Sequence, residues 1–148
     1  MAKRILVPLD GSLTGEPLLE MVGDVARGGG ATVRLLTVTP VPASLVSSEG
    51  RVVAYADQEM ERLTAEGRDY LRSMENQLGG VAVECVVRFG DAVEEILREA
   101  EAFDADLIAV STAGRSGVGR VVLGSVAEAV VRKATAPVLL FRPSRSHA

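Results

Sequence analysis

A chain of 148 residues, 47% of them apolar, suits one domain with its own core, and 16 Lys plus Arg against 20 Asp plus Glu leave a net charge of −4. That balance, with only 3% aromatic residues, argues against a nucleic-acid binder, whose footprint is a basic face with stacking rings. The single cysteine, Cys85, excludes an internal disulfide framework and a cysteine metal site and points to the cytoplasm, while no apolar run approaches the ~20 residues of a membrane span.

The first predicted element is Ile5–Leu9, an apolar run without alternation, as in strands buried on both faces of a sheet. It leads into the turn Pro8-Leu9-Asp10-Gly11-Ser12. Leu18, Val22, Val25 and Ala26 then recur at helical spacing, and Gly28-Gly29-Gly30 stops that helix. Val33–Val38 reads as a second strand. The stretch Pro40–Val53, rich in proline and serine, reads as a flexible loop, a flap near the ligand edge. A long charged helix is predicted over about Ala54–Leu78, with Met60, Leu63, Leu71, Met74 and Leu78 as its apolar stripe and Gly79-Gly80 as its stop.

The third strand, Val81–Phe89, alternates. Val81, Val83, Cys85, Val87 and Phe89 share one face and Glu84 and Arg88 the other, a pattern that suits a sheet edge. Asp91 followed by Glu94 is a capping box for a helix whose buried stripe is Val93, Ile96, Leu97 and Ala100. Its acidic residues, Glu94, Glu95, Glu99 and Glu101, read as a solvated face. The fourth strand, Leu107–Val110, is again continuously apolar. Ser125 followed by Glu128 reads as a second capping box, backed by Ala127, Val130, Val131 and Ala134. Val138–Phe141 is the last strand, and residues 143–148 form a frayed tail.

Strands alternating with helices predict a single doubly wound α/β domain over residues 1–148, a five-stranded parallel sheet with helices on both faces. Placing the two continuously apolar strands at the centre and the charged one at an edge, with right-handed crossovers, yields the order 3-2-1-4-5. In that order the winding reverses between strands 1 and 4. A crevice then opens at their carboxyl ends, between Pro8–Ser12 and Ser111–Gly114.

The segment Ser111–Ser125 leaves strand 4 and enters a helix. Its glycines let backbone N–H groups approach an anion, the helix N-terminus adds positive potential, and Ser116, Ser125, Arg115 and Arg120 supply hydroxyls and cations. These features suit a phosphate cradle. They also suit a plain glycine loop with a serine cap, since neither the Gly-Lys-Ser/Thr of a phosphate loop nor the dinucleotide fingerprint is present. His147 is the only histidine, which removes a Ser-His-Asp triad and a histidine metal site, and no residue stands out as a general base. Cys85 reads as a buried, inert thiol.

The chain resembles the universal stress protein family. The resemblance rests on Ile5-Leu6-Val7-Pro8-Leu9-Asp10-Gly11-Ser12, Gly114-Arg115-Ser116-Gly117, Leu123-Gly124-Ser125-Val126-Ala127-Glu128 and Ala136-Pro137-Val138-Leu139-Leu140. Gly114, nine residues, then Gly124-Ser125 matches the second half of the nucleotide-binding members' glycine pattern. The first glycine of that pattern is Ser111 here, and a position that is often His is Ala113.

The resemblance implies a cytoplasmic stress-response protein that binds an adenine nucleotide: ATP, or alternatively AMP or cyclic AMP. Pro8, Leu9 and Asp10 would meet the nucleotide at the end of strand 1, with Asp10 near the ribose or near Mg²⁺ carried by the phosphates. Val38 would offer backbone groups to the adenine edge. Ser111, Gly114, Arg115, Ser116, Gly117, Gly124 and Ser125 would surround the phosphates. The resemblance also implies a homodimer through Val138–Phe141, with Val138 and Leu140 at the contact. Two alternatives stand beside this reading. One is a protein-interaction module without nucleotide, favoured by Ser111 and Ala113; the other is a very weak ATPase in which Asp10 and a metal orient water.

Overall fold

Five parallel strands form one sheet in the computed structural model, which describes residues 3–11, 15–42, 50–112 and 124–142. They are β1 (Arg4–Pro8), β2 (Thr32–Thr39), β3 (Ala82–Phe89), β4 (Leu107–Ser111) and β5 (Val138–Phe141), in the spatial order β3-β2-β1-β4-β5. The helices are α1 (Gly15–Gly29), α2 (Gly50–Glu75), α3 (Ala92–Phe103) and α4 (Ser125–Lys133), with a 3-10 turn at Asn76–Leu78 after α2. The fold class and strand order are those expected from the sequence.

Two cores lie on opposite faces of the sheet. On one, Ile5, Val7, Val33 and Leu35 meet Leu18, Leu19 and Val22 of α1 and Leu71 and Met74 of α2. On the other, Leu6, Leu36, Ile108 and Val110 meet Ile96 and Phe103 of α3 and Ala127 and Val130 of α4. β1 and β4 supply both cores, which is why they lack alternation. Each fully buried Leu or Ile here contributes about 1.5–3 kcal/mol of transfer free energy.

Helix ends follow local chemistry. α1 closes where Gly30 turns left-handed at φ 68°, and Ala31 N–H donates to the Ala26 carbonyl. Asp91 caps α3 by accepting from the Glu94 N–H at 3.0 Å. α3 ends at Asp104, at φ 56°, whose N–H donates to the Ala100 and Glu101 carbonyls.

The structure corrects several expectations. Val25 and Val131 are exposed rather than buried, because the buried stripes run through Leu19 in α1 and through Ala127 and Val130 in α4. α2 begins at Gly50, so Gly50–Val53, expected in the flexible loop, are helical; residues 43–49 and 143–148 lie outside the described residues. Cys85 is half-buried rather than buried, its thiol 3.7 Å from the Glu75 carboxylate. Burial and that carboxylate push the thiol pKa up, which disfavours the nucleophilic thiolate.

The largest correction concerns α3. Glu95 and Glu99, expected on a solvated face, are 6% and 3% exposed. Arg88 of β3 donates to both, at 2.8 Å and 2.6 Å. Arg34 of β2 joins Glu99 to Glu84 and stacks 4.1 Å over the Phe103 ring; Arg98 also pairs with Glu95. The charged face of the edge strand is thus an ion-pair seam that fastens α3 to β2 and β3, a pairing of strand arginines with helix carboxylates that linear spacing does not display.

Candidate functional site

The crevice at the carboxyl edge has a definite cause. β1 and β2 pair from Arg4↔Thr32 to Pro8↔Leu36, but β1 and β4 pair only at Ile5↔Leu107 and Leu6↔Ile108. Backbone direction alternates along a parallel strand. Lys3 accepts from Thr32 and Leu9 donates to Leu36, so odd-numbered residues of β1 face β2, while Arg4 accepts from Asp106 of the other neighbour. Position 8 therefore faces β4. The next rung would need an N–H there, and proline has none. The two strands part, and β1 turns away at Asp10 and Gly11, the latter at φ 89°, where glycine is favoured.

The gap opens into a cleft of about 730 Å³, within the range of small-molecule sites. Of the residues expected to bind a nucleotide, Pro8, Leu9, Asp10, Val38, Ser111, Gly124 and Ser125 all line it. Gly114, Arg115, Ser116 and Gly117, with Arg120, lie in 113–123, outside the described residues. Leu36 of β2 accepts from Leu9, so even-numbered residues of β2 face β1, and Val38 turns its backbone polar groups toward the crevice just beyond the last rung.

α4 points its N-terminus at the cleft, one residue differently from expectation. Gly124, not Ser125, is the N-cap: its carbonyl accepts the first helical bond, from Glu128 N–H at 3.0 Å. Ser125 is the first helical residue, and Glu128 pairs with Arg132 at 2.5 Å. Ser125 is exposed to the cleft. The N–H groups at the start of α4 have no partner within the helix, so they can meet an anion. Among the described residues, a Cβ built on Gly124 meets only the Thr112 carbonyl oxygen, at 3.9 Å, so none of them crowds the approach at this glycine.

Sequence reasoning missed one wall. Leu63, Glu66, Gly67 and Tyr70 of α2, with Thr37 and Thr39 of β2, line the same cleft. α2 comes this close because residue 67 is glycine: a Cβ there would lie 2.9 Å from Val87 Cγ2 and 3.2 Å from Thr37 Cγ2. A lone glycine inside a charged helix was the available signal. Ala92 and Ile96 of α3 form the opposite flank.

The charged side chains in the described lining are two carboxylates, Asp10 and Glu66. Glu66 also pairs with Arg62, which in turn holds Glu59 at 2.6 Å. Among the described residues, no group of three His, Cys, Asp or Glu is assembled to hold a metal ion. A magnesium ion fits here only with oxygens supplied by a bound phosphate, Asp10 adding one carboxylate. Among the described residues, no helix is long and apolar enough to cross a membrane.

The universal stress protein family model matches residues 1–142. The universal stress protein of Methanothermobacter thermautotrophicus is 34% identical over 147 residues, covering 96% of this chain and 97% of that one. The solved structure of the Methanocaldococcus jannaschii protein MJ0577 superposes with a TM-score of 0.83 at 28% identity, over 97% of this chain and 98% of that one. A universal stress protein solved in complex with cAMP (TM-score 0.64, 23% identity, 97% of this chain and 99% of that one) shares the fold. So does one from Archaeoglobus fulgidus in complex with dAMP (TM-score 0.59, 20% identity, 93% and 96%).

Proposed function

The chain belongs to the universal stress protein family, and from that premise we propose that it binds an adenine nucleotide, ATP foremost, in the cleft between β1, β4 and α4. The observation that carries this reading is the opening at Pro8, which sets the Val38 backbone, Asp10 and the N-terminus of α4 around one continuous space. The base lies toward Val38 and the phosphates toward Gly124 and Ser125. Asp10 stands between them, at the ribose or at a magnesium ion held by the phosphates. In the sequence, Arg115 and Arg120 lie between β4 and α4. The cAMP- and dAMP-bound relatives support the ligand class. A bound nucleotide acts as a signal only as far as it prefers one conformation of the protein or of its dimer. We assign no catalytic residue.

The test is thermal unfolding of nucleotide-free protein with ATP, ADP, AMP and cyclic AMP, with and without Mg²⁺. A ligand at a hundredfold excess over its Kd stabilises the native state by ~2.7 kcal/mol, several degrees for a domain of this size. The expected result is a rise with ATP that disappears in Gly124→Val. No rise with any nucleotide would overturn the reading in favour of a protein-interaction module.

A further inference from the structure

The cleft is electrostatically two-ended. At the α4 end, the first turn of the helix, whose N–H groups have no partner within the helix, and the exposed Ser125 line the space. At the α2 end the described lining is Thr37, Thr39, Leu63, Glu66, Gly67 and Tyr70: hydroxyls, an apolar side chain, one ring and one carboxylate, without a cation. Gly67 seats α2 against Thr37 and Val87, which brings Glu66, one position away, to the rim of this end. Arg62 pairs with Glu66, but it is shared with Glu59 and is not part of the lining, so the Glu59–Arg62–Glu66 group keeps a net negative charge.

We propose that Glu66 is a specificity-determining residue: it accepts a hydrogen bond from the nucleoside half of the ligand and rejects nucleotides that carry a second phosphate on that half. This rests on the reading that the cleft takes a nucleotide. The physical basis is simple. A carboxylate accepts from a sugar hydroxyl and repels a phosphate ester in its place, as acidic residues do when they select unphosphorylated ribose. Discrimination then comes from the repulsive arrangement as much as from the attractive one. The same polarity fixes ligand direction, phosphate chain toward α4 and nucleoside toward α2.

The test compares AMP with adenosine 3′,5′-bisphosphate by calorimetric titration of the full chain, wild type and variants. Glu66 has a largely exposed side chain, 59%, so its substitutions do not disturb the core. The wild type is expected to bind AMP at least about tenfold more tightly than the bisphosphate. The ratio should collapse toward one in Glu66→Gln and invert in Glu66→Lys, with the differences shrinking in high salt. Equal affinities in the wild type, or a ratio that neither variant moves, would overturn the proposal while leaving nucleotide binding intact. Failure of both ligands to bind protein that still binds ATP would overturn this proposal alone; failure of ATP as well would overturn both readings. Circular dichroism of each variant confirms that a changed ratio is not a changed fold.

Discussion

Gly124 and Glu99 are the two positions where a single side chain decides most. Gly124 has φ −59° and ψ 147°, a backbone that any residue adopts, and its built Cβ contacts one carbonyl oxygen at 3.9 Å. Gly124→Val should therefore lower the unfolding temperature by only a few degrees, the cost of a poorer N-cap, while losing the nucleotide-induced rise, so the variant separates binding from folding. Glu99 is the opposite case: its carboxylate is held between Arg34 and Arg88 on an almost fully covered helix face. Glu99→Ala should cost about 2–3 kcal/mol in urea denaturation. That is below the full penalty of breaking a buried pair, because both arginines retain some access to water. Gly124 was visible in the sequence through its motif. The role of Glu99 was not, because its partners are 65 and 11 residues away.

Among the elements, α2 and α3 carry the tests. An alanine at an exposed mid-helix glycine adds about 1 kcal/mol of helix propensity. At Gly67 that gain meets a Cβ 2.9 Å from Val87 Cγ2, and overpacking of this kind costs about 1–3 kcal/mol. Gly67→Ala should therefore lower the urea midpoint rather than raise it. On α3, the Arg88 hydrogen bond, with further help from Arg98, holds the Glu95 carboxyl below its ordinary value of 4.5. A carboxylate whose pKa is lower in the folded than in the unfolded state contributes its stability above the unfolded value. That contribution is lost as pH falls through the folded one. The urea midpoint should decline below about pH 4.5, and the decline should be shallower in Glu95→Gln. A decline equally steep in that variant would place the acid sensitivity elsewhere, for instance at Asp106, which accepts from the Lys3 and Arg4 N–H groups.

For the whole molecule, the expected homodimer turns on β5. This four-residue edge strand pairs with β4 through Ile108↔Val138 to Ser111↔Phe141. Leu140 is 41% exposed, while Val138 is half-buried against the α3–α4 core, so Leu140 is the more accessible of the two contact residues proposed. An apolar strand edge of this kind favours pairing with another strand. Sedimentation at micromolar concentration should give a dimer, and Leu140→Glu should give a monomer with an unchanged far-ultraviolet circular dichroism spectrum. A wild-type monomer would remove β5 as an interface.

Periodicity and punctuation are local properties; they were enough for the strands and, with the handedness of crossovers, for the strand order and the carboxyl edge at Asp10 and Ser111, while Val38 and Gly124 were placed there by the family resemblance. Runs such as Ile5-Leu6-Val7 can be apolar throughout only where both faces are covered, so the centre of the sheet is legible in one dimension. What depended on tertiary structure was everything requiring two distant segments at once. The missing rung at Pro8 has meaning only once β4 lies beside it. The approach of α2 at Gly67 depends on Val87 and Thr37 beneath it. Glu95 and Glu99 become buried ion-pair partners only when β2 and β3 bring Arg34 and Arg88 under α3. A linear pattern records how often a residue type recurs, whereas side-chain burial and charge pairing are set by what the fold places opposite it.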